Sequence, residues 1–211
     1  MTGRFITLEG GEGVGKSTQS RLLVDALRER GIECIATREP GGTPGAEAIR
    51  SLLLDGEGFG ARAEALLFAA ARSDHVERLI RPALERGTWV VCDRFLDSSR
   101  AYQGGAGEIG DEEIMRLHEL GSAGLLPNRT LLFTLDPDTA RSRLDARDQG
   151  KSDAIGSRSE AYHGDVARSF EALAKSEPER FAIIDAGAAQ DEVHREALRA
   201  LAPLLEAQDA C

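Results

Sequence analysis

The residues Gly10–Ser17 constrain this chain more than any other stretch, because they match the pattern G-x-x-x-x-G-K-[ST]. Before them, Arg4–Glu9 alternates apolar and polar residues as a half-buried strand does, and after them Thr18–Arg30 has leucines at helical spacing. Glycines in such a turn let backbone N–H groups face a polyphosphate, and the start of the following helix adds partial positive charge. The stretch therefore predicts a nucleotide-binding loop rather than a glycine-rich turn that binds nothing.

Two side chains at the end of this loop have the chemistry that a bound nucleotide needs. Lys16 is expected to reach the β- and γ-phosphates, and the Ser17 hydroxyl is expected to hold Mg²⁺. The other lysines of the chain are only at positions 151 and 175, so a lysine in the loop is not the chance result of a lysine-rich composition.

Composition and charge limit the partners that this chain can have. It has 211 residues, 41% of them apolar and 29% charged, which is typical of one ordinary soluble domain spanning 1–211. The net charge of −10 argues against nucleic acid as a partner, because a surface that binds nucleic acid is basic. No apolar run is long enough for a membrane span, and no signal peptide is visible. Cys34, Cys92 and Cys211 lie far apart without metal-site spacing, so we expect a reduced, cytoplasmic protein with no membrane partner.

Strand and helix patterns alternate along the whole chain. Beyond the first strand, further strands are predicted at 33–37, 88–92, 130–135 and 180–185. The longest helical pattern covers 61–84, with Leu66 on its core side and Pro82 expected to kink it, and Asp111 is expected to cap a later helix. This order predicts an α/β fold of the P-loop NTPase type, with a mostly parallel five-stranded sheet and helices on both faces.

Charged residues follow two of the predicted strands. Arg38 and Glu39 come at the end of the second strand, and Asp93 and Arg94 come at the end of the third. In open α/β sheets, ligands bind at the carboxyl ends of the strands. Asp93 is therefore expected near Mg²⁺ and Arg94 is expected to bind a second phosphate. The alternative is an ordinary strand-end aspartate beside a surface arginine.

Phe68, Arg72 and His75 share one face of the long predicted helix, offset from its apolar stripe. A ring beside a guanidinium can hold a flat heterocycle by stacking and hydrogen bonds. Periodicity alone favours a simpler arrangement, in which Phe68 packs in the core and Arg72 is solvated. It indicates no role for His75.

A polar and irregular segment at about 147–158 carries several basic residues, which are Arg147, Lys151 and Arg158, with Arg143 just upstream. A mobile basic segment of this kind can be a lid that closes over phosphates. It can equally be a solvated loop, and composition does not distinguish the two.

Four short motifs extend the argument beyond the loop, and they occur in a fixed order and spacing: Arg38–Thr43, Phe68-x-x-x-Arg72, Asp93–Phe95 and Ser98–Gly104. With the loop, they make the chain closely similar to the thymidylate kinase family from about Arg4 to Leu205. Arg-Glu-Pro-Gly-Gly-Thr and Ala-Tyr-Gln-Gly are specific to that family among P-loop kinases. The resemblance implies phosphoryl transfer from ATP–Mg²⁺ to dTMP for the synthesis of dTTP, and it implies a homodimer.

The resemblance also assigns roles to individual residues. The ATP phosphates are expected to bind Gly10, Gly11, Glu12, Gly13, Val14, Gly15, Lys16, Ser17 and Thr18. The dTMP acceptor is expected to bind Arg38, Phe68, Arg72, Arg94, Ser99, Tyr102 and Gln103. Phe68 would stack on thymine with Arg72 at its O4 edge, and Tyr102 would lie where a 2′-hydroxyl would be. Ser17 and Asp93 are the implied Mg²⁺ ligands. Lys16, Arg94, Asp93 and Glu12 are the implied catalytic residues of the phosphate region.

The charge of the transferring phosphoryl group needs a further cation, and the loop has no arginine at its variable positions Gly11–Val14. In this family, members whose loop lacks a basic residue at these positions look like the members that supply the cation from the lid. Many relatives have Asp-Arg in the lid where this chain has Asp153 and Ala154. We therefore expect Arg147, together with Arg158, to stabilise this charge.

Three other functions are compatible with parts of the sequence. One is a nucleoside monophosphate kinase that acts on dUMP or a broader pyrimidine set. Another is a P-loop switch with no small-molecule acceptor, which leaves Phe68 and Tyr102 unexplained. The third is a family member that binds without catalysis, which only Ala154 favours.

Overall fold

Five parallel strands form one sheet in the computed structural model, which describes residues 3–55, 58–148 and 154–209. The strands are β1 Phe5–Glu9, β2 Cys34–Arg38, β3 Trp89–Asp93, β4 Arg129–Thr134 and β5 Phe181–Asp185. They lie in the order β2-β3-β1-β4-β5, with every neighbouring pair parallel. The predicted parallel five-stranded sheet is confirmed, and its strands all end at one edge.

Helices connect the strands and cover both faces of the sheet. Their bounds are α1 Lys16–Glu29, α2 Pro44–Asp55, α3 Ala61–His75, α4 Arg81–Glu85, α5 Leu96–Ser99, α6 Asp111–Ser122, α7 Pro137–Asp148, α8 Glu160–Ser176, α9 Gln190–Ala200 and α10 Ala202–Asp209. Ile6 and Leu8 of β1 pack in a cluster with residues of α1 and α9, whereas Phe5 packs on the other face with α3 and α4. None of the helices in the described ranges combines the length and apolar content that a membrane crossing needs.

Strand β1 is buried along its whole length, so the prediction of a half-buried strand was wrong. The strand lies between β3 and β4 in the middle of the sheet, and its polar residues also point into covered space. Thr7 satisfies its hydroxyl with that of Thr130, 3.0 Å away, and Glu9 is bound by groups of the segment after β3. The polar alternation thus marks a strand with buried polar partners.

The long helical pattern over 61–84 is interrupted before Pro82. The backbone stays helical from α3 through a π-helical segment, Val76–Ile80, into α4, and Pro82 lies directly after this change in hydrogen bonding. Leu66 was predicted on the core side of α3 but is 56% exposed, so that prediction was wrong. The residues of α3 that are buried lie on other faces, including Ala65 and Ala71.

Asp111 begins α6 but does not cap it with its side chain, contrary to the prediction. Its carboxylate accepts hydrogen bonds from Arg100, whose Nε lies 2.7 Å away in a second π-helical segment, Arg100–Ala106. This ion pair ties α6 to the segment that follows β3 and α5.

Cys34 and Cys92 are buried, free thiols in β2 and β3, as expected of small apolar residues in strands. Burial raises the pKa of Cys34 to about 12, and it raises the pKa of Cys92 well above its usual range. Cys211 lies outside the described residues.

Candidate active site

The predicted phosphate-binding loop connects the end of β1 to the start of α1. Two of its glycines are required by close packing as well as by backbone conformation. A Cβ on Gly10, whose φ is +131°, would lie 2.3 Å from the carbonyl oxygen of Phe133, and one on Gly13, whose φ is +73°, would lie 2.6 Å from that of Ala140. The loop therefore fits only as a glycine-rich turn, and it ends at the N-terminus of α1, where an anion is favoured.

Lys16 lies beneath the loop with its ammonium group held by loop carbonyls. Its Nζ donates to the carbonyl oxygens of Gly10, 3.0 Å away, and Gly11, 2.5 Å away. Burial, reinforced by the charge of Arg94, lowers the pKa of Lys16 to about 7. Burial thus makes the lysine easier to deprotonate, and a bound polyphosphate would stabilise its charged form.

Ser17 and Asp93 meet at the mouth of the loop, as expected for a pair that holds Mg²⁺. The Ser17 hydroxyl donates to Oδ2 of Asp93 at 2.6 Å. Strand pairing sets this distance, because Asp93 at the end of β3 is opposite Leu8 of β1. One hydroxyl and one carboxylate offer the hard oxygen ligands that this cation prefers.

Arg94 joins the loop to the pocket beside it. Its backbone φ is +68°, a left-handed conformation rare for arginine. Its NH1 donates to the Gly10 carbonyl and to Oγ of Ser98, each at 3.1 Å, and its guanidinium lies over the ring of Tyr102 at 5.2 Å from the ring centroid. Glu12 is 3.9 Å from its NH2. Burial alone would lower the pKa of Arg94, but the groups around it raise the pKa, so the guanidinium stays charged.

A pocket opens next to the loop and is lined by most of the predicted acceptor residues, which are Phe68, Arg72, Arg94, Ser99, Tyr102 and Gln103. Glu12 also lines it. The other lining residues were not assigned a role from the sequence: Glu39, Pro40, Arg50, Leu54, Phe95, Ser98 and Ile155. The walls combine rings with guanidinium and hydroxyl groups, which suits a ligand with a flat base and an anionic end.

Arg72 is almost wholly buried in the wall of this pocket, so the solvated position that periodicity favoured was wrong. Its Nε donates to Oε2 of Glu39 at 2.8 Å, and its NH2 donates to Oγ of Ser99 at 2.7 Å. His75, for which the sequence indicated no role, lies fully buried behind Glu39. Its Nδ1 is 3.1 Å from Oε1 of Glu39, and its Nε2 is 2.7 Å from Oγ1 of Thr37. The base of the pocket is therefore a connected polar network.

Tyr102 and Gln103 lie in the π-helical segment Arg100–Ala106 and face the pocket together. Tyr102 packs against Phe170 and Tyr162, with ring centroids 6.2 and 6.3 Å away. Gln103 donates from Nε2 to Oε1 of Glu64 at 2.9 Å. Both side chains are held by residues of other helices, which fixes their orientation.

Arg38 does not line the pocket. Its NH2 pairs with Oε1 of Glu47 at 2.9 Å, and both side chains are largely exposed. Arg50 lines the pocket at this end, with its NH1 donating to the carbonyl of Pro40 at 2.8 Å. A role for Arg38 in binding the acceptor phosphate stays a prediction.

The basic residues of the predicted lid have different places. Residues 149–153, including Lys151, lie outside the described ranges, as does the side chain of Arg147 in α7. Arg143 donates from NH1 to the carbonyl of Ala186 at 3.2 Å. Arg158 forms an ion pair with Glu64. A mobile lid and a catalytic role for Arg147 and Arg158 stay predictions.

Glu9 is a buried acid that supports this site from behind. It accepts from the backbone N–H of Phe95 at 2.8 Å and from Oγ of Ser98 at 2.6 Å. Burial, together with the nearby charge of Asp97, raises the pKa of Glu9 to about 8. Since Ser98 also binds Arg94, Glu9 helps to fix the turn that carries this arginine.

One pattern could have revealed part of what the sequence analysis missed. Glu64, Phe68, Arg72 and His75 recur every three or four residues along α3, so they form one stripe. A stripe that mixes an acid, a ring, a guanidinium and an imidazole is unlike either a core face or a solvated face. It indicates a helix face turned toward a ligand.

A phosphate loop that shares an arginine with a pocket of aromatic, guanidinium and hydroxyl groups is typical of a P-loop kinase of small nucleotides. The family model described as thymidylate kinase matches residues 8–197, and the chain belongs to the thymidylate kinase family. A thymidylate kinase of Rhizorhabdus wittichii is 58% identical over 97% of this chain and 100% of its own length, and one of Clavibacter sepedonicus is 49% identical over 100% and 99%. The crystal structure of thymidylate kinase from Ehrlichia chaffeensis, 32% identical, matches with a TM-score of 0.77 over 95% of this chain and 100% of that one.

Proposed function

We propose that the pocket holds dTMP and that the loop Gly10–Gly15 with the start of α1 holds ATP, so that their phosphates meet at Arg94. The chain is a thymidylate kinase, which transfers a phosphoryl group from ATP to dTMP and gives dTDP and ADP for dTTP synthesis. One observation carries the assignment of the two sites. Arg94 binds the loop through the Gly10 carbonyl and at the same time lies over Tyr102 in the pocket.

The residues at the mouth of the loop fit Mg²⁺. Within 3–55, 58–148 and 154–209, no group of three or more His, Cys, Asp and Glu residues could hold a metal by itself. Mg²⁺ does not need such a group, because it is commonly held by one or two protein oxygens, waters and substrate phosphates. Ser17 and Asp93 would hold it here. When bound, it supplies positive charge to the transferring phosphoryl oxygens.

The pocket walls give dTMP a defined orientation. The ring of Phe68 would stack on thymine, and Arg72, fixed by Glu39, would meet its O4 edge with Ser99 nearby. Tyr102 would pack against the deoxyribose and leave no room for a 2′-hydroxyl. Arg94 would then bind the acceptor phosphate on the side of the pocket that faces ATP.

For the additional cation, the backbone favours Arg147. Helix α7 touches the phosphate loop, because a Cβ on Gly13 would lie 2.6 Å from the carbonyl oxygen of Ala140 and 3.1 Å from Cγ of Leu144. Position 147 is one turn beyond Leu144 on the same helix face. From that face of the helix, a basic residue would stabilise charge on a transferring phosphoryl group at the loop.

Two features support a homodimer that works in the cytoplasm. Leu66 of α3 is 56% exposed and Leu120 of α6 is 87% exposed, and these two helices pack against each other. Apolar side chains on adjacent helices suit contact with a second copy of the chain. The free thiols Cys34 and Cys92 suit a reducing compartment.

Steady-state turnover with ATP–Mg²⁺ and a panel of monophosphates tests the acceptor assignment. We expect dTMP to exceed UMP and CMP in kcat/KM, with dUMP intermediate, and equal rates for all four would contradict a thymine-selective pocket.

Arg147→Ala tests whether Arg147 supplies the additional cation. Arg141→Ala on the same helix is its control, since Arg141 is in an exposed pair with Glu160. We expect a large loss of kcat for Arg147→Ala only. Equal, small losses would contradict this role.

A further inference from the structure

We propose that Glu64 is a positioning residue for the acceptor pocket: it holds Gln103 and Arg158 at once, and through Arg158 it fixes Ile155 over the pocket. The inference rests on the proposed assignment of this pocket to dTMP. It gives Arg158 a different task from contact with the transferring phosphoryl group.

Glu64 is 5% exposed and lies on α3 one turn before Phe68. Its two carboxylate oxygens have different partners. Oε1 accepts from Nε2 of Gln103 at 2.9 Å, and Oε2 accepts from NH2 of Arg158. One buried carboxylate thus joins the helix that carries the base-stacking ring to two other segments.

Arg158 is held on its other side by an aromatic ring. Its guanidinium lies 4.7 Å from the ring centroid of Tyr162, and its NH1 donates to the Tyr162 hydroxyl at 2.6 Å. That hydroxyl in turn donates to the backbone carbonyl of Tyr102 at 3.0 Å. Both ends of the arginine fork therefore contact residues that bind the pocket wall, since Glu64 holds Gln103 and Tyr162 holds Tyr102.

The turn before Arg158 brings an apolar side chain to the same pocket. The backbone N–H of Arg158 donates to the carbonyl of Ile155 at 3.1 Å, and Ile155 is 9% exposed and lines the pocket beside Leu54 and Phe68. A hydrogen-bonded turn moves as a unit. Anchoring Arg158 on Glu64 consequently sets where Ile155 lies.

The ion pair between Glu64 and Arg158 affects dTMP binding because Glu64 is charged and buried. Truncating one member of a buried ion pair leaves the other without its partner, which costs more than the loss of an exposed pair. Without the charge on Glu64, Arg158 would gain from turning toward water, and the Ile155 turn would follow it. The pocket would lose an apolar wall and the orientation of Gln103 together.

The test uses Glu64→Gln, Arg158→Gln and the double variant in full-length protein. Since the two residues share one contact, we expect each single variant to raise the KM for dTMP by about tenfold, and the double variant to raise it by clearly less than the product of the two single effects. The KM for ATP and kcat should stay within about threefold of wild type, because the phosphate region is not changed. Arg168→Gln is the control, since Arg168 has a similar but exposed ion pair with Asp165 on α8.

Hydrogen exchange of a peptide covering 154–162 gives a readout without turnover. We expect this peptide to exchange faster than in wild type in both single variants, and to exchange at the wild-type rate in Arg168→Gln. If Glu64→Gln does not fold, the partly exposed Arg158→Gln carries the test. A fall in kcat for Arg158→Gln with an unchanged KM for dTMP would overturn the proposal. Failure of wild type to turn over dTMP would instead refute the assignment of the pocket.

Discussion

The Nε of Arg72 lies 2.8 Å from Oε2 of Glu39, in an ion pair whose side chains are 3% and 4% exposed. The pair joins the segment after β2 to the last turn of α3, two parts of the chain that both line the acceptor pocket. His75 holds the second oxygen of Glu39 and so keeps the carboxylate turned toward the arginine. The geometry of the guanidinium at the pocket wall thus depends on Glu39, which lines the pocket with it, and on His75 behind Glu39.

Glu39→Gln should weaken dTMP binding more than it affects catalysis. The amide keeps the shape of the side chain but leaves the buried Arg72 cation without its counter-charge, a change that typically costs about 3 kcal/mol of folding free energy. We expect the KM for dTMP to rise by about tenfold or more, with a smaller change in the KM for ATP. Glu171→Gln, which removes an exposed charge near Lys175, is the control. Equal KM values for Glu39→Gln and wild type would show that the pair does not orient Arg72.

Binding of ATP should take up a proton above neutral pH. In the free protein the pKa of Lys16 is about 7, so the side chain is mostly neutral at pH 8, and bound phosphates favour its charged form. The affinity for ATP should fall as pH rises from 7 to 9, by at most about tenfold per pH unit. Calorimetric titration in two buffers of different ionisation enthalpy measures the number of protons taken up when ATP binds. Lys16→Arg, always charged, should lose this uptake, and persistence of the uptake in that variant would assign it to another group.

Glu9→Gln should stabilise the fold more at pH 8 than at pH 5. The pKa of Glu9 is raised from 4.5 to about 8, so the folded protein keeps a proton that the unfolded chain has released. The stability that this proton gives is complete below about pH 4.5 and is lost as pH rises through about 8. Thermal denaturation of both proteins at the two pH values measures the difference, which we expect to be a few degrees at pH 8. A difference independent of pH would show that Glu9 ionises normally.

Leu66→Glu tests the proposed homodimer and should convert it to a monomer. Leu66 is an exposed apolar residue on α3, and a buried charge at an interface between two copies would be unpaired. Light scattering after gel filtration gives the mass. Ile183→Glu is the control, because Ile183 is similarly exposed, at 59%, but lies on the edge strand β5. If both variants elute as wild type does, the surface around Leu66 is not a dimer contact.

The phosphate region could be predicted from the sequence because its residues are close together in the chain. Gly10–Ser17 is one continuous segment, and its function depends on backbone conformation that the glycines themselves permit. Asp93 and Arg94 were predictable for a similar reason, since the end of a buried parallel strand has one position in such a sheet. Each signal was local.

The buried networks could not be predicted in the same way. Whether Arg72 is solvated depends on Glu39, which is 33 positions away, and the link between Glu64 and Arg158 spans 94 positions. Periodicity reports which residues share a face but not what covers that face, and this is why Leu66 was placed in the core and His75 was given no role. The family resemblance supplied the role of Arg72. It supplied none for Glu64.

The strand order β2-β3-β1-β4-β5 places the phosphate loop, which follows β1, between two flanks of the sheet. The strands β2 and β3 lead to the pocket proposed for the acceptor, whereas β4 leads to the helix that packs on the phosphate loop. Mutational libraries confined to 38–43, 68–75 and 95–103 would therefore sample new acceptor preferences, and we expect ATP binding to stay the same. Because the phosphate loop follows β1 in the middle of the sheet, substitutions on the β2–β3 side would change the proposed acceptor site without altering the segment proposed to hold ATP.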